Sequence, residues 1–201
     1  MGLKHSYTLI APFYDTLIAT ATRGARRRSL VWLQGGAYRD VLIVGIGTGL
    51  DIPLLPQGPR YVGLDLTPAM LKRARRRAAF SRAEINLLLA DADALPHPDA
   101  AFDAVIMHLI LAVVPHAERA LSEAARVLKP HGRLLIFDKF LHPGQKAPLR
   151  RALSPLLGQI ATRTDVVFEE LIARTPEFKI VVDRPALVGG WFRQIALEKQ
   201  R

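Results

Sequence analysis

Three glycines stand at alternate positions in the stretch VLIVGIGTGLDIPLL. Gly45, Gly47 and Gly49 lack a Cβ, so a loop built on them can turn tightly and let a ligand lie against its backbone. A dinucleotide fingerprint would need its third glycine at Leu50, and a P-loop would need a Lys-Ser or Lys-Thr pair where Leu50 and Asp51 stand. The spacing therefore favours a nucleoside of another kind over a bound phosphate.

Two aspartates follow at the ends of the next apolar runs. Asp65 closes RYVGLD, twenty residues past Gly45, where a carboxylate can accept hydrogen bonds from both hydroxyls of a ribose. Asp91 lies in LLLADADALP, where a carboxylate would reach an exocyclic amine. Either acid alone is explained as well by a strand end or a helix cap. Together with the glycine loop, and in this order, they predict a nucleoside pocket.

The elements that position these residues are short apolar runs that alternate with helical stretches. The runs predicted as strands are DVLIVG, RYVGLD, INLLLA, FDAVIMHL, GRLLIFD, FKIVVDR and GGWFRQIALEK. PAMLKRARRRAAF and AERALSEAARVLK are predicted helices. Apolar strands alternating with helices predict an α/β fold with one doubly wound, Rossmann-like sheet, mostly parallel, with helices on both faces. The last two strands, joined by a short loop containing Pro185 and Gly189-Gly190, can pair antiparallel.

The chain of 201 residues is predicted to form a single domain, 1–201. Residues 1–36 are a predicted helical lead-in or lid. Residues 140–176 are a predicted helical insert on the substrate side, with helices at about 146–162 and 165–175.

Composition limits the chemistry and the partners. The chain has no cysteine, which excludes disulfides, thiolate metal sites and cysteine nucleophiles and fits a cytoplasmic setting, and no metal site is predicted. The longest uncharged apolar run, from Ala104 to Val114, is too short to cross a bilayer.

The net charge of +10 comes mostly from arginine. Two basic clusters supply much of it: Arg23, Arg26, Arg27 and Arg28, then Lys72, Arg73, Arg75, Arg76 and Arg77. They indicate either solvated helix faces or contact with an anionic partner, namely nucleic acid or the anionic inner face of a membrane. The sequence has no N/D-P-P-[YF] tetrad and no appended RNA-binding module, which argues against nucleic acid.

From residue 40 to 140 the order and spacing of these motifs resemble class I S-adenosylmethionine-dependent methyltransferases. VLIVGIGTG resembles the first motif, YVGLDLTPAML the second, and LLLADADALPHPDAAFDAVIMHL the adenine loop and fourth strand. EAARVLKPHGRLLIFD resembles the helix, turn and fifth strand that follow. The chain is most similar to bacterial phosphatidylethanolamine N-methyltransferases and, less closely, to quinone C-methyltransferases.

This resemblance implies S-adenosyl-L-methionine as the cofactor and assigns residues to it. Asp65 would hold the ribose, Asp91 the adenine amine, and the glycine loop the methionyl and ribose parts. The residues predicted to bind the cofactor are Gly45, Gly47, Thr48, Gly49, Asp65, Leu66, Met70, Asp91, Ala92, His108 and Tyr7. The family usually has an acid at the position of Ile43, so Asp51 or backbone carbonyls are expected to hold the methionyl amino group instead.

Three residues are candidates for the transfer step. His108 and Asp138 are candidate bases for an amine acceptor, which must arrive neutral, and Tyr14 could stabilise a cationic product through its ring face. His108 is explained equally well as a satisfied buried histidine, and Tyr7 and Tyr14 as packing residues.

The predicted acceptor is a small molecule or a phospholipid. Phosphatidylethanolamine N-methylation by a protein peripheral to the membrane is preferred. A soluble small molecule or quinone, and a non-catalytic cofactor-binding regulator, are the alternatives. The sequence makes no prediction of oligomeric state.

Overall fold

The predicted alternation of strands and helices is present in the computed structural model, which describes residues 19–35, 38–141 and 166–201. The strands are β1 (Asp40–Val44), β2 (Arg60–Asp65), β3 (Glu84–Leu89), β4 (Phe102–His108), β5 (Leu128–Lys139), β6 (Phe178–Leu187) and β7 (Phe192–Lys199). The helices are α1 (described over residues 19–30), α2 (Pro68–Ala78), α3 (Ala117–Val127) and α4 (Phe168–Ala173). Short 3-10 turns lie at Val31–Leu33, Ile52–Leu54 and Val188–Gly190.

The strands form one sheet in the order β3-β2-β1-β4-β5-β7-β6. The neighbours from β3 to β5 are parallel, and β7 runs antiparallel to both β5 and β6. The predicted doubly wound sheet with an antiparallel C-terminal strand is therefore confirmed. The chain order reverses beside β1 and β4, so the glycine loop after β1 lies at the switch point where such sheets bind ligands.

Each central strand is buried on both faces, and alternate residues feed two separate cores. Leu42 and Val44 of β1 pack with α3 and α4, whereas Val41 and Ile43 pack with residues of α1 and α2. This explains why the central strands read as continuous apolar runs rather than as an apolar-polar alternation. Helices cover both faces of the sheet, as predicted.

The element boundaries differ from the predictions mainly in the last third of the chain. Pro185 lies within β6, not in the loop after it. A proline fits there because β6 is the outermost strand of the sheet, where a missing N–H breaks no ladder on the open side. The helix predicted at 165–175 is the shorter α4, and the one predicted at 146–162 lies outside the described residues.

Candidate functional site

The glycine loop leaves the carboxyl end of β1 in a series of tight turns. Gly45, Gly47 and Gly49 all have positive φ, at 68°, 55° and 83°. At Gly49 a Cβ would lie 2.7 Å from Ile52 Cδ1 and 3.1 Å from Ala74 Cα, so this glycine lets the loop pack against α2. At Gly47 the nearest atom to a Cβ would be a backbone oxygen 4.0 Å away. Packing explains Gly49, whereas the part of the chain that the structure describes leaves the space beside Gly47 open to a ligand.

Asp65 joins the second strand to this loop. Its Oδ2 accepts a hydrogen bond from the Gly47 amide at 2.9 Å, and its Oδ1 accepts one from the Thr67 amide at 2.8 Å. Burial raises the pKa of Asp65, although these two bonds oppose the rise. The carboxylate is thus oriented by backbone amides and keeps acceptor capacity for a further donor.

The carboxyl ends of β2 and β3 lie side by side, with Asp65 paired in register with Leu89. Two leucines are unusually exposed at this edge, Leu66 by 60% and Leu89 by 54%. Asp91 follows on the surface, where its Oδ1 accepts the Asp93 amide at 3.0 Å. The edge therefore combines two acids with an open apolar surface of the kind that suits a purine ring.

The remaining predicted cofactor residues lie around these groups. Ala92 is buried next to Asp91, and Met70 is half-buried in the first turn of α2. Thr48 is 6% exposed, and its carbonyl accepts a hydrogen bond from Arg77. Tyr7 and Tyr14 lie outside the described residues, so their predicted roles at the cofactor or product stay predictions.

His108, at the end of β4, is buried with both ring nitrogens engaged. Nδ1 lies 2.9 Å from Asp51 Oδ1, and Nε2 lies 3.0 Å from the Ser29 hydroxyl. Asp51 also binds Arg26, with 2.7 Å between Oδ2 and Nη1. Burial alone would raise the pKa of Asp51, but Arg26 and His108 outweigh it and hold that pKa well below its usual range. Both oxygens of Asp51 are bonded to neighbouring side chains, and the residue is only 2% exposed, which leaves little access for a methionyl amine.

Arg26 was predicted to belong to an exposed basic cluster, but the structure buries it. It is 6% exposed and ion-paired, while Arg23, Arg27 and Arg28 are exposed. The buried residues of α1 include Thr22, Arg26 and Ser29, spaced four and three apart on one helix face. That spacing is the signal in the sequence that could have separated Arg26 from its neighbours.

Asp138, at the end of β5, is 1% exposed and holds backbone amides on two segments. Its Oδ2 accepts a hydrogen bond from the backbone amide of Ala112 at 3.2 Å, and its Oδ1 accepts one from the backbone amide of Lys139 at 2.8 Å. Burial raises the pKa of Asp138 to about 6 in spite of these bonds. The segment that it holds contains Ile110, whose side chain packs where a Cβ on Gly45 would lie. Ile110 is not among the predicted site residues, because a single isoleucine after a strand carries no distinctive signal.

The chain is similar in sequence to known proteins of one family. A family model described as "Methyltransferase domain" matches residues 42–136. Phosphatidylethanolamine N-methyltransferase of Cereibacter sphaeroides is 31% identical over 190 residues, covering 93% of this chain and 93% of that protein. The chain belongs to the S-adenosylmethionine-dependent methyltransferases.

Other relatives of this methyltransferase carry different names. Demethylmenaquinone methyltransferase of Thermus thermophilus is 39% identical over 140 residues, which cover 66% of this chain but only 63% of that protein. Among solved structures, geranyl diphosphate C-methyltransferase of Streptomyces coelicolor, in complex with S-adenosyl-L-homocysteine, has a TM-score of 0.70. At 16% identity over 89% of this chain and 77% of that one, it shows the shared fold alone.

The residues present fit the methyltransferase cofactor. The open space at Gly47, the oriented carboxylate of Asp65 and the exposed leucines beside it suit an adenosyl group with a free ribose edge. When bound, S-adenosylmethionine supplies an electrophilic methyl on a sulfonium that leaves readily. The protein must then align the acceptor and exclude water, and alignment of this kind contributes roughly 7 to 11 kcal/mol.

Proposed function

We propose that this methyltransferase modifies an acceptor held in a lipid bilayer, and that phosphatidylethanolamine, methylated on its amine, is the first candidate. The observation that carries this proposal is the near full-length match to a relative of that name. That match covers 93% of the chain and so extends well beyond residues 42–136, which the family model matches. Fold similarity would not support this choice, because one fold serves many acceptors.

A quinone methylated on ring carbon is the second candidate. The relative with the higher identity, 39%, carries a demethylmenaquinone name, although the alignment covers only 66% of this chain. Both candidates are amphiphiles that reside in membranes, so both require the protein to reach a bilayer surface. They differ in the atom methylated, which makes them separable by analysis of the product.

We further propose the predicted residues as the working site. The glycine loop, Asp65, Leu66, Met70, Asp91 and Ala92 would hold the cofactor. The proposed acceptor-side residues are His108, Asp138 and Tyr14. Replacing His108 with alanine should lower turnover more than cofactor affinity if the imidazole acts on the acceptor.

Contact with the bilayer is proposed to involve α2 and the residues just after it. Among the residues described, no helix is long and apolar enough to cross a membrane. No acid occurs between Asp65 and Glu84, and the side chains of Lys72, Arg75, Arg76 and Arg82 are exposed in that stretch. Phe80, 93% exposed, lies among them. Cations surrounding an exposed aromatic ring are typical of surfaces that adsorb to anionic lipid.

The acceptor is tested with vesicles and S-adenosylmethionine carrying a deuterated methyl group. Vesicles containing phosphatidylethanolamine should yield a headgroup heavier by one or more labelled methyls, identified by fragmentation in mass spectrometry. Vesicles of phosphatidylglycerol with demethylmenaquinone form the parallel arm. Label on the quinone ring and none on the headgroup would overturn the first candidate in favour of the second. Label in neither lipid would overturn both.

Bilayer contact is tested by co-sedimentation with vesicles rich in phosphatidylglycerol. Replacing Arg75 and Arg76 with glutamine should weaken binding by roughly tenfold or more, because each cation near the surface contributes about 1 kcal/mol. A matched control replaces the exposed Arg119 and Lys179, which lie on α3 and β6. Equal weakening by both pairs would show that net charge, rather than the α2 surface, governs adsorption.

A further inference from the structure

A chain of buried polar side chains connects α1 to the cofactor loop and to the end of β4. Asp51 lies at its centre, bonded to Arg26 on one oxygen and to His108 on the other. Ser29 is at the far nitrogen of His108, and the Arg26 Nε donates to the Thr22 hydroxyl at 3.1 Å. The side chains of Arg26, Asp51 and His108 are exposed by only 7%, 3% and 1%. We refer to these five residues as the α1 network.

The α1 network determines hydrogen-bonding roles as well as positions. An ionised carboxylate can only accept hydrogen bonds, so His108 Nδ1 carries a hydrogen and donates a hydrogen bond to Asp51 Oδ1. Arg26 supplies the full charge that compensates a carboxylate buried in the core. Removing one member of such a pair leaves an uncompensated charge, which is far more costly than replacing both.

Asp51 belongs to the second half of the glycine loop, residues 49–54, where successive turns are hydrogen-bonded to one another. The Gly49 amide donates a hydrogen bond to the Ile46 carbonyl at 2.9 Å, and the Ile52 amide donates one to the Gly49 carbonyl at 3.1 Å. The Leu54 amide then donates to the Asp51 carbonyl at 2.8 Å. Asp65 holds the first half of the loop by accepting a hydrogen bond from the Gly47 amide. The loop is therefore held from two sides, by a strand-end acid and by the α1 network.

We propose that Arg26 and Asp51 are positioning residues, which hold the glycine loop against α1 in the shape that accepts S-adenosylmethionine. They act through the loop backbone, because both side chains are buried and both oxygens of Asp51 are bonded within the protein. α1 is accordingly part of the cofactor site even where it makes no contact with the cofactor. The proposal concerns cofactor binding and does not depend on which acceptor is methylated.

The test measures S-adenosyl-L-homocysteine binding by calorimetry on folded variants. Arg26→Met should raise the Kd at least tenfold, and Arg26→Lys, which keeps the charge, should raise it less. Asp51→Asn should raise the Kd similarly to Arg26→Met. The double variant should bind no more weakly than the worse single variant, because the two residues act as one unit. Additive losses in the double variant would overturn the proposal.

A matched control separates loop positioning from general loosening of α1. Gln194 in β7 is 3% exposed and donates a hydrogen bond to the Ala25 carbonyl, so it also holds α1. Among the described residues its side chain bonds to Ala25 and Arg184, not to the glycine loop. Gln194→Met should lower the melting temperature while leaving the Kd near the wild-type value. If Gln194→Met and Arg26→Met, compared at temperatures where both are folded, raise the Kd equally, the network has no special role.

A milder variant keeps the test valid if Arg26→Met does not fold. Thr22→Val removes the bond to Arg26 Nε while leaving the Arg26–Asp51 ion pair in place, and it should raise the Kd two- to fivefold. Hydrogen exchange gives a second readout, in which the Gly49, Ile52 and Leu54 amides should lose protection in this variant. A wild-type Kd together with wild-type protection of these amides would overturn the proposal.

Discussion

Gly47 and Gly49 share a positive φ but differ in what surrounds them, so alanine should have different effects at the two positions. At Gly49 the new Cβ would press on Ile52 and Ala74 as well as straining the backbone. We expect Gly49→Ala to lower the free energy of unfolding by about 2 to 5 kcal/mol, the sum of backbone strain and overpacking. Denaturant titration measures this loss.

Alanine at Gly47 would meet no side chain of residues 19–35, 38–141 or 166–201, so only backbone strain of about 1 to 2 kcal/mol is expected. The methyl group would occupy the space proposed for the cofactor, and the affinity for S-adenosyl-L-homocysteine should fall by at least tenfold. A Gly47→Ala protein that binds the cofactor normally would show that this space does not belong to the site.

Asp65 is expected to combine two roles, since it orders the loop and faces the proposed ribose position. Asp65→Asn retains one carbonyl acceptor and loses the charge. Bonds to a charged group contribute about 1.5 to 3 kcal/mol, so cofactor affinity should fall roughly tenfold to a hundredfold. The Thr67 amide, observed by NMR, reports whether the local turn persists. Wild-type affinity in a folded variant would contradict the ribose assignment.

At the residue scale, prediction from sequence succeeded where a residue's place on a strand determines its neighbours. Asp65 and Asp91 follow adjacent strands, and the structure brings both to one edge of the sheet. Arg26 was assigned to an exposed cluster because charge is ordinarily solvated. Its burial depends on Asp51, which is 25 residues away and reaches it only through the tertiary fold.

The segment between β4 and α3 depends on Asp138, and that dependence predicts a measurable response to pH. Burial raises the pKa of this carboxyl to about 6, against about 4 in the unfolded chain. The folded state therefore binds more protons between these values, and stability should fall as pH rises from about 4 to 6. The shift of about two units corresponds to about 3 kcal/mol.

Asp138→Asn removes this titrating carboxyl. Comparing the wild type with this variant therefore isolates the pH dependence of Asp138 from that of every other group. The difference in unfolding free energy between wild type and variant should change by about 3 kcal/mol between pH 4 and 6 and stay constant above pH 7. Glu170→Gln, at an exposed position on α4, is the control and should show no such change. A pH-independent difference for Asp138→Asn would mean that this carboxyl has an ordinary pKa.

At the element scale, the sheet was predictable because strands buried on both faces leave continuous apolar runs. Boundaries were less predictable where pairing rather than composition sets them. β5 begins at Leu128, directly after α3, although the prediction began at Gly132. β6 continues through Pro185 because its outer edge requires no N–H donors. Neither feature is visible without knowing the order of strands in the sheet.

For the whole molecule, a net charge of +10 predicts that adsorption to anionic vesicles depends on salt. Raising the salt concentration from about 0.05 M to about 0.5 M shortens the screening length severalfold. Binding should weaken by more than tenfold across this range. Phe80→Ser should weaken the part of binding that persists at high salt, as measured by co-sedimentation. Vesicle binding that is independent of the salt concentration would contradict an electrostatic origin of the adsorption.

The two ends of the described chain meet at α1. Gln194 of β7 bonds the Ala25 carbonyl across 169 positions of sequence, and α1 in turn holds Asp51 beside the glycine loop. During synthesis the first strands emerge from the ribosome long before β7 exists. A nascent chain that stops short of β7 would lack the whole strand that pairs with β5 and β6, a far larger loss than the single bond of Gln194, so the ability to capture the cofactor should appear only once β7 has been synthesised. Ribosome-stalled chains of increasing length, probed with a labelled cofactor analogue, would display that late onset.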